Sequence, residues 1–267
     1  MEQAPRAIDT LQDAWADALT KWAIPNEYLE RIGQSPFALS PESFAPDLAR
    51  RTTPSMRAAL TALSELPAGT RSLLDVGCAS GGTSLILFPP TEHLIAVDQS
   101  PQMLERLREN AAALGVANSS IETINSPWPA ATDARASVVT CANVLFNVPA
   151  PVPFIEALIG ASTYAVVIEL TARHPHFSAN AIWEHFYGYR RPIEPSYQAV
   201  IEMINLLGYE PAVETWHRKG LDLDDEAGLA RLAQRSCIPP SRLGELRSYL
   251  QKNPMEPTEV VSITFRT

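Results

Sequence analysis

The run Leu73-Leu74-Asp75-Val76-Gly77-Cys78-Ala79-Ser80-Gly81-Gly82 constrains this chain of 267 residues more than any other segment. Its first half is apolar with one acid, the pattern of a strand buried in a sheet. Its second half is rich in glycine and small residues, which permits tight turns and lets a ligand approach the main chain closely. A helix is expected over about 81–87, and its first turn would present free N–H groups. The next strand, His93–Asp98, ends in an acid twenty-three residues after Asp75. An acid in that place is positioned to accept hydrogen bonds from both hydroxyls of a ribose.

The pattern continues along the chain. Strands are expected at Ser72–Val76, His93–Asp98, Ile121–Ile124, Ser137–Cys141 and Tyr164–Leu170, with helical segments near 101–114 and 151–160 between them. Near-continuous apolar strands alternating with helices predict an α/β fold, a parallel sheet covered on both faces. The helix at 101–114 is well marked by Ser100 as cap, Pro101 at its first position and Gly115 beyond its end. A long helical region at 176–207, a strand Ala212–His217, helices near 223–234 and 240–251, and a strand Val260–Phe265 complete the tail. Asp222, Asp224, Asp225 and Glu226 suit a helix start, where negative charge meets the dipole. Before the core, a helix carries Leu11, Trp15, Leu19 and Trp22 at helical spacing, with Asp9 or Thr10 as its cap, and a second helix follows Pro54.

Two ligand classes use a strand–glycine turn–helix. A dinucleotide site asks for G-x-G-x-x-G, whereas here the order is Gly77-x-Ala79-x-Gly81-Gly82 behind Asp75. This resembles the first motif, D-x-G-x-G-x-G, of class I S-adenosylmethionine-dependent methyltransferases, of a poorly characterised bacterial-type branch. Val97-Asp98-Gln99-Ser100-Pro101-Gln102-Met103 resembles the second motif of that family. The resemblance implies a doubly wound, Rossmann-like sheet of seven strands in the order 3-2-1-4-5-7-6, the tail fitting the usual antiparallel sixth and seventh strands. It implies S-adenosylmethionine as cofactor. Asp75, Gly77, Ala79 and Gly81 would surround its methionine end, Asp98 its ribose, and Gln99 and Met103 would flank the adenine. Ser126 and Trp128 would lie near the adenine edge, and Asn143, at the end of the fourth strand, near the methionine portion. Ala79 stands where the family has its middle glycine, a departure that bears on how closely the backbone meets the cofactor.

Residues 70–171 would thus form the cofactor-binding core of a single methyltransferase domain, with 1–69 an N-terminal helical cap and 172–267 a substrate lid and the last strands. Trp15, Trp22, Tyr28 and Phe37 are cap aromatics that either roof the cofactor or serve as core. The most unusual segment follows the fifth strand: Arg173, His174, His176, Trp183, His185, Tyr187, Tyr189, Arg190 and Arg191 fall within nineteen residues. It reads as a lid with an anion-binding lining and a candidate base, His174 or His176; the plainer alternative is a solvated helix whose aromatics pack on the sheet. His185 and Tyr189 would share a helix face.

Charge and composition narrow the substrate. The net charge is −9; residues 71–170 carry four basic and nine acidic side chains, and 171–267 carry eleven and twelve. No broad basic footprint for nucleic acid is present. The (Asp/Asn)-Pro-Pro-(Tyr/Phe) of adenine amino-methyltransferases is replaced by Cys141-Ala142-Asn143-Val144, and neither a Pro-Cys nucleophile nor a paired-glutamate loop occurs. Three widely spaced cysteines without zinc spacing, and an acidic N-terminus without an apolar stretch, predict a cytoplasmic protein without metal or membrane partner. The expected reaction is methyl transfer to oxygen or nitrogen of a small molecule, an anion among the candidates. RNA or protein methylation, and a non-catalytic cofactor-binding module, stand as alternatives.

Overall fold

The computed structural model describes residues 3–32, 36, 40–130, 133–218 and 220–267, with side chains from residue 7 onward. In chain order its elements are α1 (Gln3–Thr20), α2 (Asn26–Leu29), α3 (Pro54–Glu65), β1 (Ser72–Val76), β2 (His93–Asp98), α4 (Pro101–Ala113), β3 (Ile121–Asn125), β4 (Ala136–Ala142), α5 (Pro151–Ala161), β5 (Ser162–Thr171), α6 (Asn180–Tyr187), α7 (Tyr197–Leu206), β6 (Ala212–His217), α8 (Glu226–Arg235), α9 (Leu243–Lys252) and β7 (Glu259–Arg266). The seven strands form one sheet in the order β3-β2-β1-β4-β5-β7-β6. Pairings among β1 to β5 are parallel, and β7 is antiparallel to both β5 and β6. β6 and β7 thus form the antiparallel pair that the resemblance implies, with β7 the reversed strand and β6 running with the others.

Strand order turns back between β1 and β4, and the crevice outside the carboxyl ends at such a switch point is where doubly wound sheets bind ligands. The central strands are buried on both faces, which is why they read as unbroken apolar runs. One core layer joins the sheet to α1, α5 and α7 through Trp15, Val139, Phe154, Leu158, Ile168 and Met203. The opposite layer packs Met56, Leu63, Leu73, Leu107 and Val138 beneath α3 and α4. A third cluster lies apart from both and ties the first part of the chain to the last: Ile24 and Tyr28 pack with Ile182, Trp183, Leu229, Cys237, Leu246 and Leu250.

Three helical expectations are corrected. Residues 81–87 form turns and a single 3₁₀ turn, Leu85–Leu87, because Thr83, Ser84 and Ile86 are poor helix formers and Pro89-Pro90 follows at once. The region 176–207 is two helices: α6 ends at Gly188, left-handed at φ 63°, and Pro192 and Pro195 keep the chain extended until α7. Tyr189 therefore lies beyond α6 and shares no helix face with His185. At the N-terminus α1 starts at Gln3, so Asp9 and Thr10 lie inside the helix rather than capping it. Elsewhere local chemistry acts as read. Ser100 accepts from Met103 N at the start of α4, and Asp225 from Gly228 N at the start of α8.

Candidate active site

The glycine turn is built from both sides. Gly77 N and Cys78 N both donate to Val97 O, at 2.9 and 3.1 Å, tying the end of β1 to the end of β2. Gly77 has φ 71°, and a Cβ there would lie 2.5 Å from Val144 Cγ2, so the loop after β4 closes against the loop after β1. Behind the turn, Ser80 Oγ donates to Pro41 O at 2.6 Å and Asn110 Nδ2 donates to Ser80 O at 2.8 Å. A Cβ at Gly82 would meet Phe44 O at 2.4 Å. The segment Pro41–Phe44, joined to α4 by an Arg106–Glu42 ion pair at 2.6 Å, thus clamps the turn from outside. Ala79 stands in the turn at φ 46°, a backbone region that costs an L-residue roughly 1–2 kcal/mol. Gly81 is buried in the same turn, also at positive φ.

Asp98 faces this turn across the crevice. Its Oδ2 accepts from Ala79 N and its Oδ1 from Ser100 N, both at 2.9 Å. The side chain is half-buried, and each oxygen keeps acceptor capacity for a ligand hydroxyl. Gln99 beside it is exposed, and Met103 is half-buried on the first turn of α4. Ser126 lies next to Asp98, its N–H donating to Asp98 O at 3.1 Å while its Oγ donates to Ala130 O at 2.6 Å. Trp128 packs against the α5 side of the core, its Nε1 buried without an acceptor among the described residues.

Asp75 is fully enclosed. Thr140 Oγ1 donates to its Oδ1 at 3.0 Å, and its Oδ2 has no donor among the described residues. Loss of hydration raises its pKa from 3.8 to about 6; the Ser84 and Thr140 hydroxyls and the Arg50 charge oppose the rise, and the nearby Asp98 charge adds to it. A ribose diol and a cationic ammonium fit this donor-poor, acceptor-rich pair of carboxylates.

A third carboxylate opens the unusual segment that follows the apolar run of β5, and the sequence assigns it no role of its own. Glu169, near the end of β5 and 1% exposed, takes Arg50 Nη2 at 3.0 Å, Asn143 Nδ2 at 3.2 Å and Arg218 Nη2 at 3.3 Å on its Oε1. Its Oε2 is buried without a donor among the described residues. Asn143, left-handed at φ 60°, also accepts from Arg218 at 3.0 Å through Oδ1, and its N–H donates to Glu169 O at 2.7 Å. The node draws together the N-terminal segment, the loop after β4, β5 and the residue after β6. An acid at the end of an apolar strand was a visible signal; Arg50 and Arg218 carried none, lying 119 and 49 residues from Glu169.

Beyond β5 the candidate bases sit in an aromatic row. The His174 ring stacks on Trp22 at 4.1 Å and on His176 at 5.4 Å, and meets Phe146 edge-on at 5.6 Å; Phe146 stacks in turn on Trp15 at 5.4 Å. His174 Nδ1 accepts from His176 N at 3.2 Å, which places the proton of the neutral ring on Nε2. Burial and the charges of Arg191 and Arg235 push both histidines down to about 3. At neutral pH they are uncharged hydrogen-bonding groups. Of the remaining residues of this segment, Arg173 pairs with Glu194, Arg190 with Glu184, and His185 stacks on Tyr249, away from the row. Tyr28, Trp183, Tyr187 and Tyr189 pack on one another as core of the third cluster, the plainer reading. Phe37 lies outside the described residues. No group of three or more His, Cys, Asp or Glu among the described residues could hold a metal ion.

A sheet of this order, with a glycine turn and carboxylates converging at its switch point, is the Rossmann-like methyltransferase fold. A family model described as a methyltransferase domain matches residues 73–161, the stretch from β1 to the end of α5. No curated protein matches the chain by sequence. Solved structures match it in fold. A provisionally assigned methyltransferase from Bacillus halodurans is 18% identical, covers 82% of this chain and 98% of its own, and gives a TM-score of 0.55. An S-adenosylmethionine-dependent methyltransferase from Thiobacillus denitrificans, in complex with S-adenosylhomocysteine, is 18% identical over 80% of this chain and 91% of its own, at 0.54. Magnesium protoporphyrin IX methyltransferase from Synechocystis, also with S-adenosylhomocysteine, is 12% identical over 90% and 93%, at 0.54. At such identities the likeness is one of fold.

Proposed function

We propose that this enzyme transfers the methyl group of S-adenosylmethionine to an oxygen or nitrogen atom of a small molecule held between the core and the cap. The observation that carries the reading is the Asp98 carboxylate, pinned by Ala79 N and Ser100 N at the mouth of the glycine turn. In this reading Asp98 binds the ribose, with Gln99, Met103, Ser126 and Trp128 around the adenine. Asp75, Gly77, Ala79, Gly81 and Asn143 take the methionine end, where the buried Oδ2 of Asp75, without a donor among the described residues, suits an ammonium group. S-adenosylmethionine supplies a methyl carbon that is already electrophilic, so the chain need only align the acceptor, exclude water and, for some acceptors, take up a proton. The Arg50–Glu169–Arg218 node would fix the loop that closes on the methionine end, and the row Trp15, Phe146, His174 and Trp22 would wall off the acceptor.

His174 and His176 are the nearest candidates for the proton. With a pKa of about 3, held down first by burial and then by the arginines, either is a weak base, and a negative charge beside it would raise its basicity. A division of labour follows, with 70–171 holding the cofactor while 1–69 and 172–267 select the acceptor. The absence of a broad basic surface in the sequence supports a small acceptor over RNA. The test is release of S-adenosylhomocysteine from S-adenosylmethionine with panels of small hydroxyl, carboxyl and amine compounds, run beside RNA and protein. Turnover only with RNA or protein would overturn the acceptor class, and no turnover with any acceptor despite cofactor binding would favour a non-catalytic module.

A further inference from the structure

We infer that the acceptor carries an oxyanion, a carboxylate or a phosphate, and that Arg191 and Arg235, with the imidazoles of His174 and His176, receive it. The inference rests on the methyl-transfer reading and names the class of its acceptor. Arg191 is 7% exposed, with its guanidinium 5.0 Å from the Trp22 ring and 4.7 Å from the Trp183 ring. Nη2 donates to Trp22 O at 2.7 Å, but Nε and Nη1 have no acceptor among the described residues. A buried guanidinium without a carboxylate is costly to maintain, and arginine is the side chain best matched to carboxylate and phosphate.

The other cations of this region are taken. Arg173 faces Glu194 at 3.7 Å, Arg190 faces Glu184 at 2.8 Å, and Arg50 and Arg218 share Glu169. Arg191 and Arg235 have no ion-pair partner among the described residues. Arg235, exposed at the end of α8, stands between Ala233 and Cys237, which cluster with Trp183, the ring that Arg191 covers, and its charge acts with that of Arg191 on both histidines. His174 lies on the Trp22 ring that Arg191 also covers, and it offers Nε2–H as a donor. Phe146, edge-on to His174, connects this group to the loop carrying Asn143 and so to the methionine end of the site. Donors and positive charge thus gather beside flat aromatic walls, one step from where the methyl group would be presented.

The experiment follows histidine ring resonances by NMR in the full chain, with and without S-adenosylhomocysteine. The titrants are benzoate, inorganic phosphate and neutral benzamide. The expected result is a saturable shift of His174 and His176 toward the protonated form with benzoate or phosphate and none with benzamide. Which anion acts at lower concentration distinguishes a carboxylate from a phosphate acceptor. Arg191→Met and Arg235→Met should each weaken that binding at least tenfold while S-adenosylhomocysteine affinity stays within twofold, and Arg190→Met should change neither. If Arg191→Met does not fold, Arg191→Lys and the surface variant Arg235→Met carry the comparison. The inference is overturned if neither anion shifts the histidines, or if affinity is unchanged in the Arg235 variant and in the folded Arg191 variant. Because the titration is also read without S-adenosylhomocysteine, a chain that failed to bind that ligand would refute the cofactor reading and leave the anion result standing.

Discussion

Asp75 and Ala79 each cost the fold stability at the glycine turn, one through a buried charge and one through its backbone. An enclosed carboxylate with a pKa raised to about 6 binds its proton more tightly folded than unfolded. Its contribution is therefore fully present below about pH 4 and is lost as pH rises through 6. The Asp75→Asn variant removes that titration while keeping the shape. Its stability relative to wild type should rise between pH 4 and 7, by up to about 3 kcal/mol for a shift of this size, and its affinity for S-adenosylhomocysteine should fall. Denaturant unfolding at several pH values checks this; a constant difference would show that Asp75 does not titrate as described. Ala79 holds φ 46° in a turn where glycine would be unstrained. Ala79→Gly trades that strain against the greater freedom of an unfolded glycine, so the expected change is a stabilisation of about 0–1 kcal/mol, read as melting temperature. A loss of more than about 1 kcal/mol would mean that the methyl group has a packing role.

At the scale of elements, the clamp on the glycine turn is the most exposed to test. Gly82→Ala directs a methyl group at the carbonyl of Phe44, a backbone atom that cannot swing aside. The segment Pro41–Phe44 should be displaced, seen as faster proteolysis between α2 and α3 and a stability loss of about 1–3 kcal/mol, the range for overpacking. Unchanged proteolysis would mean that the contact is slack. The elements themselves were unevenly legible. The five parallel strands stood out because burial on both faces leaves an uninterrupted apolar run. At 81–87 the helical periodicity is overridden by Pro89-Pro90, and within 176–207 Gly188, Pro192 and Pro195 stop one helix and delay the next, although apolar residues recur on both sides of the break.

For the molecule as a whole, the carboxylates at strand ends could be read from sequence because strand and acid are neighbours in the chain. The Glu169 node and the third hydrophobic cluster could not, since they join residues from opposite ends of it, and no local pattern records such a meeting. The net charge of −9 is likewise uneven: residues 71–170 carry nine acids against only four bases, while 171–267 are nearly balanced and include Arg191, whose Nε and Nη1 have no acceptor among the described residues. Among the described residues no helix is long and apolar enough to cross a membrane. The account stands on one claim, that the crevice beside Asp98 is an S-adenosylmethionine site. Titration calorimetry with S-adenosylhomocysteine tests it most directly. Wild type should bind one equivalent, Asp98→Ala should bind at least about tenfold more weakly, about 1–3 kcal/mol for a charge-assisted bond, and Asp98→Asn should fall between them. Wild-type binding that Asp98→Ala leaves unchanged, or no binding by wild type, would contradict it.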